Sequence, residues 1–358
     1  MTQDPQALGQ TYPCPQCGAQ LSYDAGSKGL KCAHCGHQQA VGASPGALAP
    51  REIPIAEGMA SAARGFGTPV KAIECQECGA TVNVEPQSQT VTCPFCRSQK
   101  VLPREATANL IQPESVVPFK VDKAAANSAF GTWIGKLWFR PGDLKKMAQV
   151  QELGGVYVPF WTFDAQVYSN WTAEAGYHYT ETETDSEGND REVTKTRWQH
   201  ASGSRNDFYD DTIVCASKGL PERLVDRFRS WSTTDLVPYE PRYLAGWAAE
   251  SYVIDLPNAW TVGQQKMESS QHSRCAGDVP GDTHRGLHVS NSFSGVTFKH
   301  VLLPIWIAAY RYGDKPYQFL VNGQTGEVVG LAPWSVWKIA LFVLLIVAII
   351  VAIVVLTR

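Results

Sequence analysis

Cys14-Pro15-Gln16-Cys17 and Cys32-Ala33-His34-Cys35, then Cys75-Gln76-Glu77-Cys78 and Cys93-Pro94-Phe95-Cys96, organise the first quarter of the chain. In each set fourteen residues separate the inner cysteines. A two-residue gap lets two thiolates reach one tetrahedral ion, and a short β-excursion returns the second pair to it. The same spacing twice predicts two tandem zinc ribbons, over 12–41 and 71–103. LSYDAGSKGLK in the first reads as strand, glycine turn, strand, and TVNVEPQSQTVTC in the second alternates about a proline turn. Gly18, Gly36 and Gly79 follow the second cysteine of a pair, where a positive φ frees backbone N–H groups to point at sulfur. Arg97 breaks that pattern after Cys96. His34 and His37 flank the second knuckle, but four cysteines already fill the shell.

A closed four-thiolate shell is structural, since catalytic zinc keeps one position for water. Two structural Zn2+ are therefore expected, one on Cys14, Cys17, Cys32 and Cys35, the other on Cys75, Cys78, Cys93 and Cys96. Their use is recognition of protein or nucleic acid. From Met1 to Pro103 the chain carries seven Lys/Arg and seven Asp/Glu, so no cationic stripe offers phosphate contacts. Nucleic acid is accordingly the secondary partner class, behind protein.

The rest of the 358 residues, with a formal charge of −3, suffices for a sizeable core. Residues 42–70, rich in Ala, Gly and Pro, read as a flexible linker. From 112 to 332 aromatic and β-branched residues dominate, predicting a β-rich α+β domain. Helical patterns fall at Val121–Trp138, Pro141–Leu153, Pro221–Trp231 and Ala259–Cys275, and Tyr177–Trp198 reads as a long exposed hairpin. A weak internal repeat relates Val117-Pro118-Phe119 to Val237-Pro238-Tyr239, and VYVPFW from Val156 to VLLPIW from Val301. The prolines are expected at a strand edge or a bulge.

IALFVLLIVAIIVAIVVL, from Ile339 to Leu356, has no charge and no breaker. At about 1.5 Å per residue its eighteen positions span roughly 27 Å, close to a hydrocarbon core. Trp334 and Trp337 precede it at interface depth, and Lys338 can snorkel. Only Thr357 and Arg358 follow, so a tail anchor over 334–357 is expected. The polar start lacks a signal peptide, and Cys215 and Cys275 remain as spare thiols without a partner pattern. Both point to a single-pass protein of the inner membrane with its N-terminus cytoplasmic.

No catalytic set emerges. Asp164 and Glu250 could form a buried acid–base pair, but no nucleophile or phosphate-binding glycine loop accompanies them, and Asp210-Asp211 reads as a turn or cap. His284 and His288, four apart, with His272 and Cys275 upstream, would gather only if both segments were helical. No Walker-type motif occurs.

TFKHVLLPIWIAAYRY, YQFLVNGQTGEVVG and PWSVWKI, with GVYVPFWTFDA, YLAGWAAESY and the cysteine knuckles, resemble a family of bacterial membrane-anchored TFIIB-type zinc-ribbon proteins. Relatives often carry a primosomal-protein-N′-like or helicase-like label, which reflects the ribbons alone, since this sequence lacks any ATPase motif. Some resemble components of membrane-stress systems that work beside phage-shock-protein-A-like and SPFH proteins. The resemblance implies a non-enzymatic adaptor that recruits soluble protein partners to the membrane. It transfers only the eight cysteines as a site. The alternative is a membrane-tethered nucleic-acid binder.

Overall fold

The structure, a computed structural model, describes residues 12–41, 50–62, 71–83, 92–96, 98–105, 111–142, 153–184, 190–229, 231–312 and 315–356. It is a mixed α+β protein with two cysteine clusters, one large mixed sheet and an exposed C-terminal helix.

The first cysteine cluster lies beside a separate three-stranded sheet, β1 (Leu21–Asp24), β2 (Gly29–Cys32) and β3 (Gln38–Ala40). The chain then enters the stretch expected to be a flexible linker. Within it β4 (Ile53–Pro54) and α1 (Ile55–Ala62) are ordered, because Ile53, Ile55 and Met59 pack on the core beside Phe298. β4 also pairs with a long strand at Thr297 and Phe298.

The second cysteine set follows on β5 (Lys71–Cys75), β6 (Thr81–Asn83) and β7 (Val101–Glu105), which belong to the large sheet. The remaining elements are β8 (Ser115–Val116), α2 (Lys123–Gly135), β9 (Gly154–Thr184), β10 (Asp190–Cys215), α3 (Glu222–Val225), β11 (Val237–Pro238), β12 (Ala248–Glu250), α4 (Leu256–Asp278), β13 (Thr283–Tyr312), β14 (Lys315–Asn322), β15 (Val328–Gly330) and α5 (Val336–Leu356). The sheet path runs β11-β8-β13-β9-β12-β6-β5-β7, with β10 also on β9 and β14 on β13.

The repeat is real but crossed. β9 and β13 lie antiparallel at the centre, with Val156 opposite Ile305 and Phe160 opposite Val301. β8 runs parallel to β13 at Val301 and Leu302, and β12 runs parallel to β9 at Val156 and Tyr157. Each half therefore lends its first short strand to the long strand of the other half. The counterpart of β8 is β12, so the matched tripeptides at Val117 and Val237 are not equivalent places. Strands β8 and β11 instead pair with each other.

The two prolines sit neither at an edge nor at a bulge. On the flank of β9 away from β13, β12 pairs at Val156 and Tyr157 and β10 pairs from Phe160 outward. Pro159 occupies the seam between them. Pro304 occupies the matching seam between β8, at Val301 and Leu302, and β14, from Ile305. A residue without an N–H is tolerated where one ladder hands over to the next. The prolyl carbonyls are still used: Ala216 N–H donates to Pro159 at 3.0 Å and Gly323 N–H to Pro304 at 2.8 Å.

Beyond the core, β9, β10 and β13 continue as a three-stranded arm. β9 alone has 31 residues, about 100 Å of extended chain. The expected hairpin at Tyr177–Trp198 is its tip, in register from Trp198 opposite Gly176 to Asp190 opposite Thr184. Helix α4 lies along one face of the arm. Its buried residues Ala259, Gly263, Met267, Gln271 and Cys275 recur every fourth position, the spacing of one helix face. Gly263 is required there, since a Cβ would come within 2.8 Å of the Phe163 ring.

Asp122 caps α2 by accepting Ala125 N–H at 2.7 Å, so the helix starts later than the pattern from Val121 suggests. Among the described residues of Pro221–Trp231 only Glu222–Val225 is α-helical, and most of Pro141–Leu153 lies outside the described residues. Helix α5 has no buried residue along its 21 positions. Its start is clamped to the loop after α2: Ser335 N–H donates to Phe139 O at 2.8 Å, and the Phe139 and Phe342 rings meet edge-on at 5.2 Å.

Candidate metal centres

Both cysteine sets close. Cys14 Sγ lies 3.5 Å from Cys35 Sγ, and Cys17 Sγ 3.5 Å from Cys32 Sγ. In the second set Cys75 and Cys96 are 3.5 Å apart and Cys78 and Cys93 3.6 Å apart. All sulfurs of a set fall within 4.8 Å of one another. A disulfide would need about 2.05 Å, whereas a tetrahedron with metal–sulfur bonds of about 2.3 Å has edges of about 3.8 Å. The separations fit a four-thiolate ion and exclude paired disulfides. Four thiolates and no further donor suit a soft, tetrahedral ion such as zinc.

The backbone builds the same knuckle four times. The first cysteine of each pair donates its N–H to the carbonyl five residues on: Cys14 to Ala19 at 2.6 Å, Cys32 to His37 at 2.8 Å, Cys75 to Ala80 at 2.9 Å, Cys93 to Ser98 at 2.9 Å. Gly18, Gly36 and Gly79 close three of these turns at φ +75°, +76° and +75°, as expected. Arg97 lies outside the described residues. The amides of Cys35 and His34 point at Cys32 and hold its thiol below the usual range. Cys93 is held down first by the Cys78 sulfur and then by the Cys96 and Phe95 amides. Their neighbours Cys17, Cys78 and Cys96 are raised, so a metal ion's charge is what brings all four sulfurs of a set to thiolate. His34 is exposed, and neither it nor His37 belongs to the cluster.

The other candidates scatter. His284 and His288 are exposed on strand β13, not on a helix, and a bulge at Gly286 (φ +61°) separates them. His272 is exposed on α4, while Cys275 is buried against Trp171 and Ala173. These four form no metal-ligating group among the described residues. Burial pushes both spare thiols, Cys215 and Cys275, above the ordinary cysteine value, which leaves them unreactive.

Asp164 and Glu250 do not meet as a pair. Glu250, on β12, is buried near Ser217 and Cys93, and burial pushes its carboxyl up to about 8. Asp164 joins Glu52 and Asp211 in a three-carboxylate cluster. Asp211 is neither a turn nor a helix cap but part of a bulge opposite Asp164, where the β9–β10 register skips from Tyr209 to Thr212. It adopts φ +50° and donates its N–H to Asp164 Oδ1 at 2.6 Å. Lys299, 7 % exposed, pairs with Asp211 at 2.8 Å and with Glu52. Burial opposes the lysine's charge, but the bonds from Asp211 and Glu52 outweigh it and its pKa is raised. A buried cation thus already fills the acidic cluster. Sequence reasoning missed Glu52 and Lys299, whose one visible signal was charge inside otherwise apolar stretches.

No protein-family model matches the chain, and no solved structure matches it. The chain is similar to the uncharacterized protein YdjG of Bacillus subtilis (strain 168), 30% identical over 339 residues that cover 92% of each protein. Identity at that level along nearly the whole of both chains places the protein in the family of Bacillus subtilis YdjG.

Proposed function

We propose that the protein is a membrane-anchored adaptor that holds a soluble protein partner at the cytoplasmic face of the inner membrane. Zinc at the two cysteine clusters supplies folding free energy of about 10 kcal/mol per site rather than chemistry. Helix α5 supplies the anchor: it is 21 residues long, apolar, and unburied by the rest of the protein. The free thiols and thiolate clusters suit the reducing side of that membrane.

The observation that carries the reading is the face of the arm turned away from α4. On β9 it presents Gln166, Tyr168, Asn170 and Thr172. Their cross-strand partners on β10 are Phe208, Asn206, Ser204 and Ser202, and on β13 Ser294, Ser292, Ser290 and His288. Tyr168 is 44% and Phe208 59% exposed, and this area contains no Lys, Arg, Asp or Glu. Charges bound it on the same face, with the Glu174–Arg285 ion pair beyond Thr172 and Asp210 beyond Phe208, and others lie on the opposite face, where Arg205 meets Asp207 and Asp278 and Arg274 meets Asp207. Exposed aromatics without charge are the composition of an interface core.

The test is a comparative pull-down from detergent extract with the full chain and with Tyr168→Ser/Phe208→Ser. Both side chains are exposed, so the fold is retained and specific partners are lost at least tenfold. Identical recovery by both proteins defeats the reading. Phage-shock-protein-A-like and SPFH-like proteins are the first partners to probe.

A further inference from the structure

A cavity of about 530 Å³ lies between the end of α2 and the first turns of α5. Lys338, Leu341, Phe342 and Leu345 line it from a single stripe of α5, at spacings of three and four residues. The stripe descends about 10 Å along the helix, from a cation into apolar side chains. Opposite stand Trp138 and Arg140. The charged residues of the lining are Arg140 and Lys338, both positive.

Both cations are aimed by the fold. Arg140 stacks over the Trp334 ring, 3.7 Å from its centre, and donates to Ala332 O. Lys338 Nζ donates to Trp138 O at 3.2 Å and forms no ion pair among the described residues. Trp138 lines the cavity, Trp334 lies under Arg140 and Trp337 precedes Lys338; they are 76%, 63% and 82% exposed, as indoles at headgroup depth are.

We propose that this cavity binds one anionic phospholipid of the leaflet in which α5 begins. The phosphate lies between Arg140 and Lys338, and an acyl chain runs along Leu341, Phe342 and Leu345. A guanidinium offers a planar fork to phosphate oxygens, and an ammonium adds a point charge. The apolar stripe below them distinguishes a lipid from a soluble phosphate. The proposal rests on reading α5 as a membrane anchor.

The test is native mass spectrometry of the full chain in detergent, titrated in parallel with phosphatidylglycerol and phosphatidylcholine. Phosphatidylglycerol is expected to be retained preferentially. Each juxtamembrane cation is worth about fivefold, so Arg140→Gln/Lys338→Gln weakens retention by about thirtyfold. Arg140 also braces the loop, so a second variant keeps both charges. A Cβ on Gly135 would meet nothing within 4 Å, and Gly135→Leu therefore fills the cavity without a backbone clash. It is expected to lose the preference for phosphatidylglycerol at least tenfold. Equal retention of the two lipids overturns the proposal. So does wild-type binding by Gly135→Leu, which would mean diffuse attraction, or displacement by glycerol 3-phosphate, which would mean a soluble ligand. Flotation on phosphatidylcholine vesicles checks the anchor separately: protein that floats without selecting its lipid defeats the lipid site alone.

Discussion

The two cysteine clusters share a spacing and a knuckle but are joined to the protein by different means. The first keeps its own three-stranded sheet and docks through side chains and a backbone hydrogen bond rather than through a shared ladder. Tyr23 N–H donates to Ala245 O, the Trp247 indole donates to Tyr23 O, and Tyr23 meets Tyr243 edge-on at 5.5 Å. The second is woven into the main sheet. β6 pairs with β12 at Ala249 and Glu250, and Ser251 N–H donates to Thr81 O. Cys93 and Phe95 are wholly buried, and a Cβ on Gly219 would come within 2.7 Å of Ala80 and 2.8 Å of Phe95. One motif thus serves once as an attached module and once as a piece of the core. The difference lies in backbone pairing, not in the metal shell.

The largest test removes one ligand from each. Cys14→Ser and Cys93→Ser are both expected to lower bound zinc from two ions per chain to one, as measured by elemental analysis. A structural zinc contributes about 10 kcal/mol, and a whole domain is stable by only about 5–15 kcal/mol. Cys93→Ser should therefore unfold the sheet domain along with its ribbon. Cys14→Ser should expose 12–41 to protease and leave the sheet transition in place. Equal loss of both transitions in the two variants would break the comparison.

A smaller effect is expected at the dock of the first ribbon. The Trp247 ring stacks on Phe119 at 4.1 Å and occupies space that leaves Gly155 no room for a Cβ. Trp247→Ala removes that packing and the bond to Tyr23, at a cost of about 3–5 kcal/mol. Limited proteolysis should then release 12–41 while zinc stays at two per chain. Unchanged protection would show that Leu21 and Leu30, buried in the same core, hold the ribbon without Trp247.

Much of this was legible in the sequence because it is local. Cysteine spacing defined both clusters, alternation defined the hairpin at Tyr177–Trp198, and eighteen apolar residues defined the exposed C-terminal helix. What the sequence hid depends on distant pairing. β8 and β12 have two and three residues, too few to show a period, yet they fix the crossing of the halves. His284 and His288 have helical spacing but lie on a strand, since β13 runs on into the buried VLLPIW segment and pairs with β9 on both sides of bulges at Gly286 and Gly295. Ile53 and Ile55 sit among alanine, glycine and proline, and only the core beside Phe298 explains why that stretch is ordered. The carboxylates of Asp164 and Asp211 came together through a bulge, which alternation cannot reveal.

The segment between the two clusters offers the smallest test, because one proton governs its attachment. Glu52 precedes β4 and reaches Lys299 and Thr297. Beside it, burial raises Asp164 from 3.8 to about 7, with the neighbouring Glu52 adding to the rise and the Asp211 amide opposing it. A carboxyl with a raised folded value holds its proton longer in the folded state than in the unfolded one. Its contribution is complete below 3.8 and is lost as pH rises through about 7. As that proton leaves, Asp164 and Glu52 repel each other, and 50–62 should loosen from the sheet. His300, nearby on β13, has the opposite sign: burial lowers it from 6.5 to about 4, so its contribution is lost as pH falls through that window. Asp164→Asn keeps the acceptor for the Asp211 amide and removes the titration. The wild type should lose urea resistance and amide protection at 50–62 between pH 3.8 and about 7 relative to the variant. Parallel curves for the two proteins would show that Asp164 does not titrate in this range, and that the attachment of 50–62 through Ile53, Ile55, Met59 and the β4 pairing is independent of that proton.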